Sequence, residues 1–324
     1  MSKKIVVMGG GTGTFPVVSG LKHCTEYEID SVIAVSDSGG STGKIRDEFG
    51  FQPVGDLRQA LAALAESSNE EWIRKILLYR FDKGAGLQGH NLGNLILTAL
   101  QDMTGDTTES LEIAEKIFRL EGRVIPVTKD NVNLEIKYAD GSVRVGEHLL
   151  DEKQAEKMKI TEVNLVPHAT VNPAAKEAIE QADMVIIGPG DYYASLMATL
   201  IPEGIKETFQ HSHAKVVYVL NLMTRFTQTF DMTAKDHVAG IEAAIGKPID
   251  TIVINSREIP QAILDLYAEE KEYPVEDDLA SDPRVVRGDI LSEKVASAVA
   301  FDIAHRSLLR HDPTKIGDLL MKLL

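Results

Sequence analysis

The chain has 324 residues, 44% hydrophobic and 26% charged, the balance of an ordinary soluble globular protein and enough length for one large α/β domain or two modest ones. Its net charge of −15 at pH 7 argues against nucleic-acid binding, which needs a basic face, but leaves room for a local pocket that takes one small anion. A single cysteine, Cys24, excludes an intrachain disulfide and is expected as a buried spectator; with no signal-like opening and no stretch long enough to span a bilayer, a cytoplasmic protein is expected.

The apolar run Ile5–Met8 ends in Gly9-Gly10-Gly11, then Thr12-Gly13-Thr14, with a helix predicted over Phe15–His23. Glycines at a strand-to-helix turn let the backbone approach a ligand and present N–H groups to an anion at the helix N-terminus. A second strand is predicted over Ile29–Val35, and Asp37 beyond it sits where a dinucleotide fold holds a ribose hydroxyl. The NAD pattern is imperfect, because the third glycine is missing at Thr14 and Pro16 interrupts the helix start. Asp37 also opens a loop, Ser38-Gly39-Gly40-Ser41-Thr42-Gly43-Lys44, which is no Walker A but is a generic anion nest with Lys44 and Arg46 beside it. Asp37 is the alternative holder of Mg²⁺ against phosphates.

Asp56 reads either as the N-cap of a helix over Leu57–Ser67 or as a functional acid. Arg58, in the first turn of that helix, is placed against the dipole, so an anionic ligand or a carboxylate should accompany it. The helix predicted over Glu70–Phe81 carries Trp72, Ile73, Ile76, Leu77 and Tyr79 as a core stripe. A third glycine-rich loop, Gly84–Gly89, leads into His90, Asn91 and Asn94 at the start of an apolar helix, with residues 90 and 94 on one face and ligand contact favoured for the group.

From Arg123 to Pro167 short strand-like runs with an Asp140-Gly141 turn, followed by the charged stretch Lys153–Lys159, predict a β-rich insertion over 123–167 within a single α/β nucleotide-binding domain of residues 1–324. The α/β pattern returns with a helix over Ala174–Gln181 and a strand over Met184–Ile187 that ends Gly188-Pro189-Gly190-Asp191, with Ser195 in the next helix. The strand Val216–Leu220 ends Asn221-Leu222-Met223-Thr224, and Ile252–Ile254 ends Asn255-Ser256-Arg257. Polar or glycine-rich tips repeated after strands are what a sheet with ligands at its C-terminal edge should show. Helices are predicted over Ile259–Lys271, Ser292–Leu309 and Thr314–Leu324, with an exposed acidic loop over Glu272–Pro283. Tyr267 either stacks on a base or packs against Ile263 and Leu264. Arg310-His311-Asp312 either places favourable charge at a helix C-terminus or makes a phosphate clamp.

Taken in order, Gly9–Gly13, Ser36–Gly43, Gly55–Arg58, Gly89–Asn94, Gly188–Asp191 and Asn221–Thr224 resemble the motif series of the 2-phospho-L-lactate transferase superfamily, and within it the bacterial gluconeogenesis-factor branch. The resemblance covers nearly the full length. It implies a Rossmann-like three-layer α/β/α sandwich with a mostly parallel sheet and a nucleotide site at the strand C-termini. The transferase branch moves a phospholactyl group from a guanosine diphosphate donor with Mg²⁺. The gluconeogenesis-factor branch is linked to cell shape and growth on non-glycolytic carbon, and to binding UDP-sugars such as UDP-N-acetylglucosamine, through residues that match Tyr267 and Arg310; Pro313 is a local departure.

The expectation is therefore a nucleotide-sugar-binding factor that forms a homo-oligomer and has a regulatory protein partner. The alternative is a Mg²⁺-dependent transferase with Asp37 and His90 as its catalytic groups. An NAD-dependent oxidoreductase is the weaker alternative, since the same loops accept the pyrophosphate of a UDP-sugar, GDP or an NAD-like dinucleotide.

Overall fold

The computed structural model describes residues 2–24, 26–65, 70–151, 158–293 and 308–324. Among these described residues, ten strands and twelve α-helices follow one another along the chain. The first half comprises β1 (Lys3–Gly9), α1 (Gly11–Leu21), β2 (Tyr27–Ile33), α2 (Gly40–Phe49), α3 (Gly55–Ala63), α4 (Glu70–Leu78), α5 (Leu92–Thr104), α6 (Thr107–Phe118) and β3 (Arg123–Pro126). Three strands, β4 (Asn133–Tyr138), β5 (Val143–Val145) and β6 (Ile160–Val166), come next, with a 3₁₀ turn at Glu147–Asp151. The second half comprises α7 (Pro173–Glu180), β7 (Met184–Ile187), a π-helical turn at Tyr192–Met197, α8 (Ala198–Leu200), α9 (Ile205–His211), β8 (Lys215–Val219), α10 (Ala234–Ile245), β9 (Thr251–Asn255), α11 (Gln261–Glu269), β10 (Val285–Gly288) and α12 (Pro313–Met321).

Seven strands form one sheet in the order β10-β9-β8-β7-β1-β2-β3, every neighbouring pair parallel. A parallel sheet must bury both faces, because its crossover helices lie on them. β1 meets that demand: Ile5 and Val7 join the cluster with α1, α3 and α12, while Val6 and Met8 join the cluster with α9 and α10. The result is the three-layer α/β/α sandwich. A separate antiparallel sheet, β5-β4-β6, packs Leu134, Ile136, Tyr138 and Val163 against Ala34, Ala194 and Ala198 of the main body.

Several boundaries differ from the sequence reading for identifiable reasons. α1 starts at Gly11 and runs through Pro16, so Thr12, Gly13 and Thr14 belong to its first turns and the loop itself is short. Likewise α2 begins at Gly40, so much of the anion-nest stretch is helix. Arg123–Pro126 is the edge strand of the main sheet, paired with β2, and the antiparallel part begins only at Asn133. The apolar stripe on α4 is only half buried: Leu77 is in the core, whereas Trp72 is 68% exposed and Ile76 and Tyr79 are exposed too. Cys24 is half-buried rather than buried. The charged stretch at 153–159 and the helix predicted over 292–309 fall largely outside the described residues, as does the end of the helix predicted over Leu57–Ser67. Among the described residues no helix is long and apolar enough to cross a membrane.

Candidate functional site

From β1 the chain builds outward through β2 and β3 on one side, while β7 to β10 lie on the other. The order therefore reverses between β1 and β7, and a crevice opens outside the strand C-termini where this happens. Two glycine turns meet there. A Cβ on Gly13 would lie 2.5 Å from both Gly190 Cα and Pro189 O, so only glycine permits the first turn of α1 to rest on the Gly188-Pro189-Gly190 turn. Gly10 caps α1 without a side-chain hydrogen bond, and Gly11 has φ +59°, a conformation that favours glycine. Thr14 is buried against Gly9 and supports the turn from below.

Asp56 is not the cap of its own helix. α3 starts one residue earlier, at Gly55 with Val54 as N-cap, and the Asp56 carboxyl projects across to the Gly10-Gly11 turn, where it accepts the Gly11 N–H. Burial first, then Asp37 and Asp191, push its pKa up to about 8, although Arg58 and the Gly11 N–H act in the opposite direction. These surroundings favour the neutral form of the acid, which weakens its repulsion of an anion at α1. Ser195 Oγ, from the π-helical turn after β7, lies 3.4 Å from the Cβ position of the same Gly10.

Asp37 fills the next stretch of the crevice. Its Oδ1 accepts the Gly39 N–H at 2.9 Å, and its Oδ2 abuts Gly55 together with Thr42 Oγ1. Gly39 is the N-cap of α2 and makes no side-chain cap, leaving that helix N-terminus facing Asp37 and Ser38. Gly43 packs on the Ser38 carbonyl. Arg46, further along α2, has its pKa lowered by burial, against the pull of Asp47 and Asp37, and its Nη1 is buried without a hydrogen-bond partner.

Behind these loops lies a buried polar network built from residues that the sequence suggests as ligand contacts. Arg58 Nε donates to Asn94 Oδ1 at 2.7 Å and its Nη1 to the Leu77 carbonyl at 3.2 Å. Burial lowers the Arg58 pKa to about 10, which leaves it cationic. Asn94 Nδ2 reaches Ser41 Oγ and Thr42 Oγ1 at 3.4 and 3.3 Å, and Ser41 Oγ is 3.3 Å from His90 Nδ1. Asn91 is the N-cap of α5, accepting from the Asn94 N–H. His90 therefore precedes the helix, and the expected shared face of residues 90 and 94 does not form. This network ties α2, α3 and α5 together; among the described residues Arg58 donates to an amide and a carbonyl, and the charges of Asp56 and Asp37 act on it as well.

On the other side of the switch point, Asn221 Nδ2 donates to the Gly190 carbonyl at 2.8 Å, while its Oδ1 is buried without a hydrogen-bond partner. Thr224 clasps the Tyr273 backbone in both directions, its N–H donating at 2.7 Å and its Oγ1 accepting at 3.0 Å. That clasp sets Glu272 beside Arg225, a residue the sequence reading missed although it directly follows the Asn-Leu-Met-Thr tip. Arg225 lies 3.8 Å from Asp191 Oδ1 and 3.5 Å from Glu272 Oε1; burial opposes its charge, but these carboxylates raise its pKa. A cavity of about 440 Å³ opens between the ends of β8 and β9, lined by Asn221, Leu222, Asn255, Ile259, Leu264 and Pro274 among others.

Tyr267 borders this region as a packing residue. It is 7% exposed in a cluster with Met223, Leu291 and Leu309, and its hydroxyl accepts the Leu309 N–H at 3.1 Å. Arg310 follows immediately, with Nε buried and without a hydrogen-bond partner. The Arg-His-Asp run leads into the last helix, and Asp312 caps α12 by accepting the Lys315 N–H at 3.1 Å. His311 is fully buried and its pKa is pushed down to about 4. Among the described residues no group of three or more His, Cys, Asp or Glu side chains is arranged to hold a metal ion.

Fold and crevice together define a doubly wound α/β protein with its candidate site at the switch point between β1 and β7. The family model for 2-phospho-L-lactate transferase CofD matches residues 5–294. A Bacillus subtilis protein named gluconeogenesis factor is 36% identical over 328 residues, covering 99% of this chain and 98% of its own. A Halalkalibacterium halodurans protein of the same name is 33% identical over 330 residues, and a Thermotoga maritima relative is 35% identical over 320 residues, each match covering 99% of this chain and respectively 96% and 99% of theirs. The crystal structure of a UPF0052-family protein from Bacillus halodurans superposes with a TM-score of 0.88 at 31% identity, covering 99% of each chain. The chain belongs to the 2-phospho-L-lactate transferase CofD family, in the branch of the gluconeogenesis factors.

Proposed function

We propose that this chain is a cytosolic nucleotide-sugar-binding factor, with a ligand of the UDP-N-acetylglucosamine type, that serves cell shape and growth on gluconeogenic carbon sources. The observation that carries the binding half is the junction of the Gly10-Gly11 and Gly188–Gly190 turns beside the cavity at the ends of β8 and β9, with Asn221 common to both. In this reading the diphosphate lies over the glycine turns at the N-terminus of α1. Arg225, Arg310 and Arg46 supply positive charge around it, and the nucleoside enters the half-apolar cavity. The gluconeogenic part of the physiological half is supported by the names of the relatives, and the cell-shape part rests on the family resemblance alone. The test is calorimetry with UDP-N-acetylglucosamine. Binding by the wild type that is weakened at least ten-fold in Arg310→Ala is expected; no binding, or equal binding by both, would refute the reading.

A second reading, a Mg²⁺-dependent transferase with a nucleoside-diphosphate donor, is favoured by one observation. Asp37 and Asp191 both act on Asp56, so three acids face one crevice. Asp37 would hold the cation or take the acceptor proton, and His90 would assist. Mg²⁺-dependent turnover that disappears in Asp37→Asn is the expected result, and a wild type inactive with every nucleoside diphosphate donor speaks against it. The homo-oligomer and the regulatory protein partner belong to the proposal as well, to be read from light scattering and from pull-down with and without UDP-N-acetylglucosamine.

A further inference from the structure

Helix α4 carries an apolar stripe that points away from the core. At 3.6 residues per turn Ile73 and Leu77 share one side of it, where Leu77 is fully buried and Ile73 packs against the same cluster. On the other side Trp72, Ile76 and Tyr79, the last directly after the helix, follow at i, i+4 and i+7 and are 68%, 38% and 47% exposed. Their exposed parts amount to about 300 Å² in one copy, taking ~150–250 Å² for a whole aromatic side chain. Apolar residues scattered singly over a surface need no explanation, whereas a contiguous patch rimmed by charge is the pattern of an interaction site. The two rings are also held in place. Lys75 Nζ sits 4.7 Å from the centroid of the Trp72 ring, and Phe81 meets the Tyr79 ring edge-on at 5.1 Å.

Charge is arranged about this stripe in a definite order. Glu71 stands at its start and Arg80 at its end, where a bridge to Asn91 and an Nη1–H bond to the Gly89 carbonyl at 2.8 Å fix the arginine. Glu71 pairs with Lys75 one turn on, both largely exposed, and a carboxylate has a second oxygen to offer another donor. One midpoint, between Lys75 and Ile76, relates Glu71 to Arg80 and Trp72 to Tyr79. Reversing the direction of the chain thus exchanges acid for base and leaves the apolar middle in place. A face of this kind is complementary to itself about a two-fold axis, which is what an isologous interface requires. An unrelated partner would gain nothing from that internal symmetry.

We propose that the outward face of α4 is the two-fold interface of a homodimer, with α4 of a second copy lying antiparallel across it. Trp72 of each copy packs on Tyr79 of the other, the two Ile76 side chains meet near the axis, and Glu71 accepts from Arg80 at both ends. The inference deepens the homo-oligomer of the proposed function by naming its surface and symmetry, and it does not depend on the nucleotide. The area is at the low end for a lasting interface, so the dimer should dissociate at about micromolar concentration.

The chain has one tryptophan, so its emission reports the burial of Trp72 alone. Sedimentation velocity and fluorescence on the full chain, from about 0.5 to 100 μM, span that dissociation constant. Wild type should pass from monomer to dimer as its emission shifts to the blue. Ile76→Glu, which sets two acids face to face at the axis, should stay monomeric with red emission throughout. Glu71→Arg and Arg80→Glu should each weaken dimerisation at least ten-fold, because the two-fold doubles every change. Mixed in equal amounts, these two charge variants should recover a heterodimer of near wild-type affinity, a rescue that no loss of folding could imitate. A wild-type dimer unaffected by Ile76→Glu, or two charge variants with native circular dichroism whose mixture stays monomeric, overturns this inference alone. A wild type still monomeric at the highest concentration overturns it together with the homo-oligomer, while calorimetry with UDP-N-acetylglucosamine continues to decide the nucleotide reading separately.

Discussion

Replacing Asp56 by asparagine separates the shape of the crevice from its charge. The residue is partly buried, and desolvation of its carboxyl together with Asp37 and Asp191 raises its pKa from 3.8 to about 8. For an acid whose folded pKa lies above the unfolded one, the native state holds the proton more tightly. Stability is then greatest below the unfolded pKa and is lost as pH rises through the interval up to the folded value. At about 1.4 kcal/mol per pH unit, that interval corresponds to a ceiling of about 6 kcal/mol lost between pH 4 and pH 8.

The amide of the Asp56→Asn variant keeps an oxygen for the Gly11 N–H and carries no charge at any pH, so this variant should be close to wild type in stability at pH 4 to 5. It should be more stable than wild type by several kcal/mol at pH 8, a gap of about 3 to 5 kcal/mol. Urea unfolding of both proteins at intervals from pH 4 to 9 measures it. The difference curve is the informative quantity, because other groups titrate in the same range: Glu115, for one, is raised to about 7 by burial. These common contributions cancel between the two proteins. A flat difference curve would show that the acid is not held neutral, and would remove the account of how α1 tolerates an anion.

Three further expectations are independent of the first. Gly13→Ala must push the two glycine turns apart, since its Cβ would lie 2.5 Å from the backbone of residues 189 and 190; a loss of about 2 kcal/mol or more and loss of nucleotide binding are expected. Gly86→Ala, with nothing within 4 Å, is the matched control, and equal melting temperatures for the two variants would contradict the close approach. Tyr267→Phe removes the acceptor of the Leu309 N–H, so it should lower stability by about 1 to 2 kcal/mol and weaken nucleotide binding by displacing Arg310; unchanged binding would separate the tyrosine from the site. His311, depressed by burial from 6.5 to about 4, contributes stability that is present above pH 6.5 and lost as pH falls toward 4, about 3 kcal/mol in all. Imidazole NMR shifts should show one histidine still neutral at pH 5.5, and complete titration of all nine by that pH would contradict the burial.

The layered sheet was legible because strand ends announce themselves locally. A β-branched run followed by glycine or a short polar group appears after β1, β2, β7, β8 and β9, and each such tip needs only its own few residues to be recognised. β10 (Val285–Gly288) was not, since Val285 and Val286 are its only β-branched residues and it adds at the sheet edge by pairing with β9. Nor was the membership of Arg123–Pro126, whose sequence suits either sheet; its pairing with β2 is a long-range fact. Trp72 misled for a related reason, in that helical spacing shows which residues share a face but not whether anything covers it.

Site residues divide along the same line. Gly13 and Gly190 could be picked out singly as turn glycines, but their mutual contact depends on two strands that are far apart in sequence and adjacent in the sheet. Asp56 reads either as a cap or as a functional acid because capping is a local pattern, whereas its actual partner, the Gly11 N–H, is reached only through tertiary structure. Arg225 escaped notice altogether. It is one charged residue beside an ordinary turn, and what gives it meaning is a third element, the Tyr273 clasp that sets Glu272 against it. Charge patterns within one segment do not encode such meetings. The charged residues that wall this crevice are therefore the least visible in the chain, while those that build its floor are the most visible. A floor made of backbone requires glycine, and a wall made of side chains can be assembled from any loop that the fold brings near.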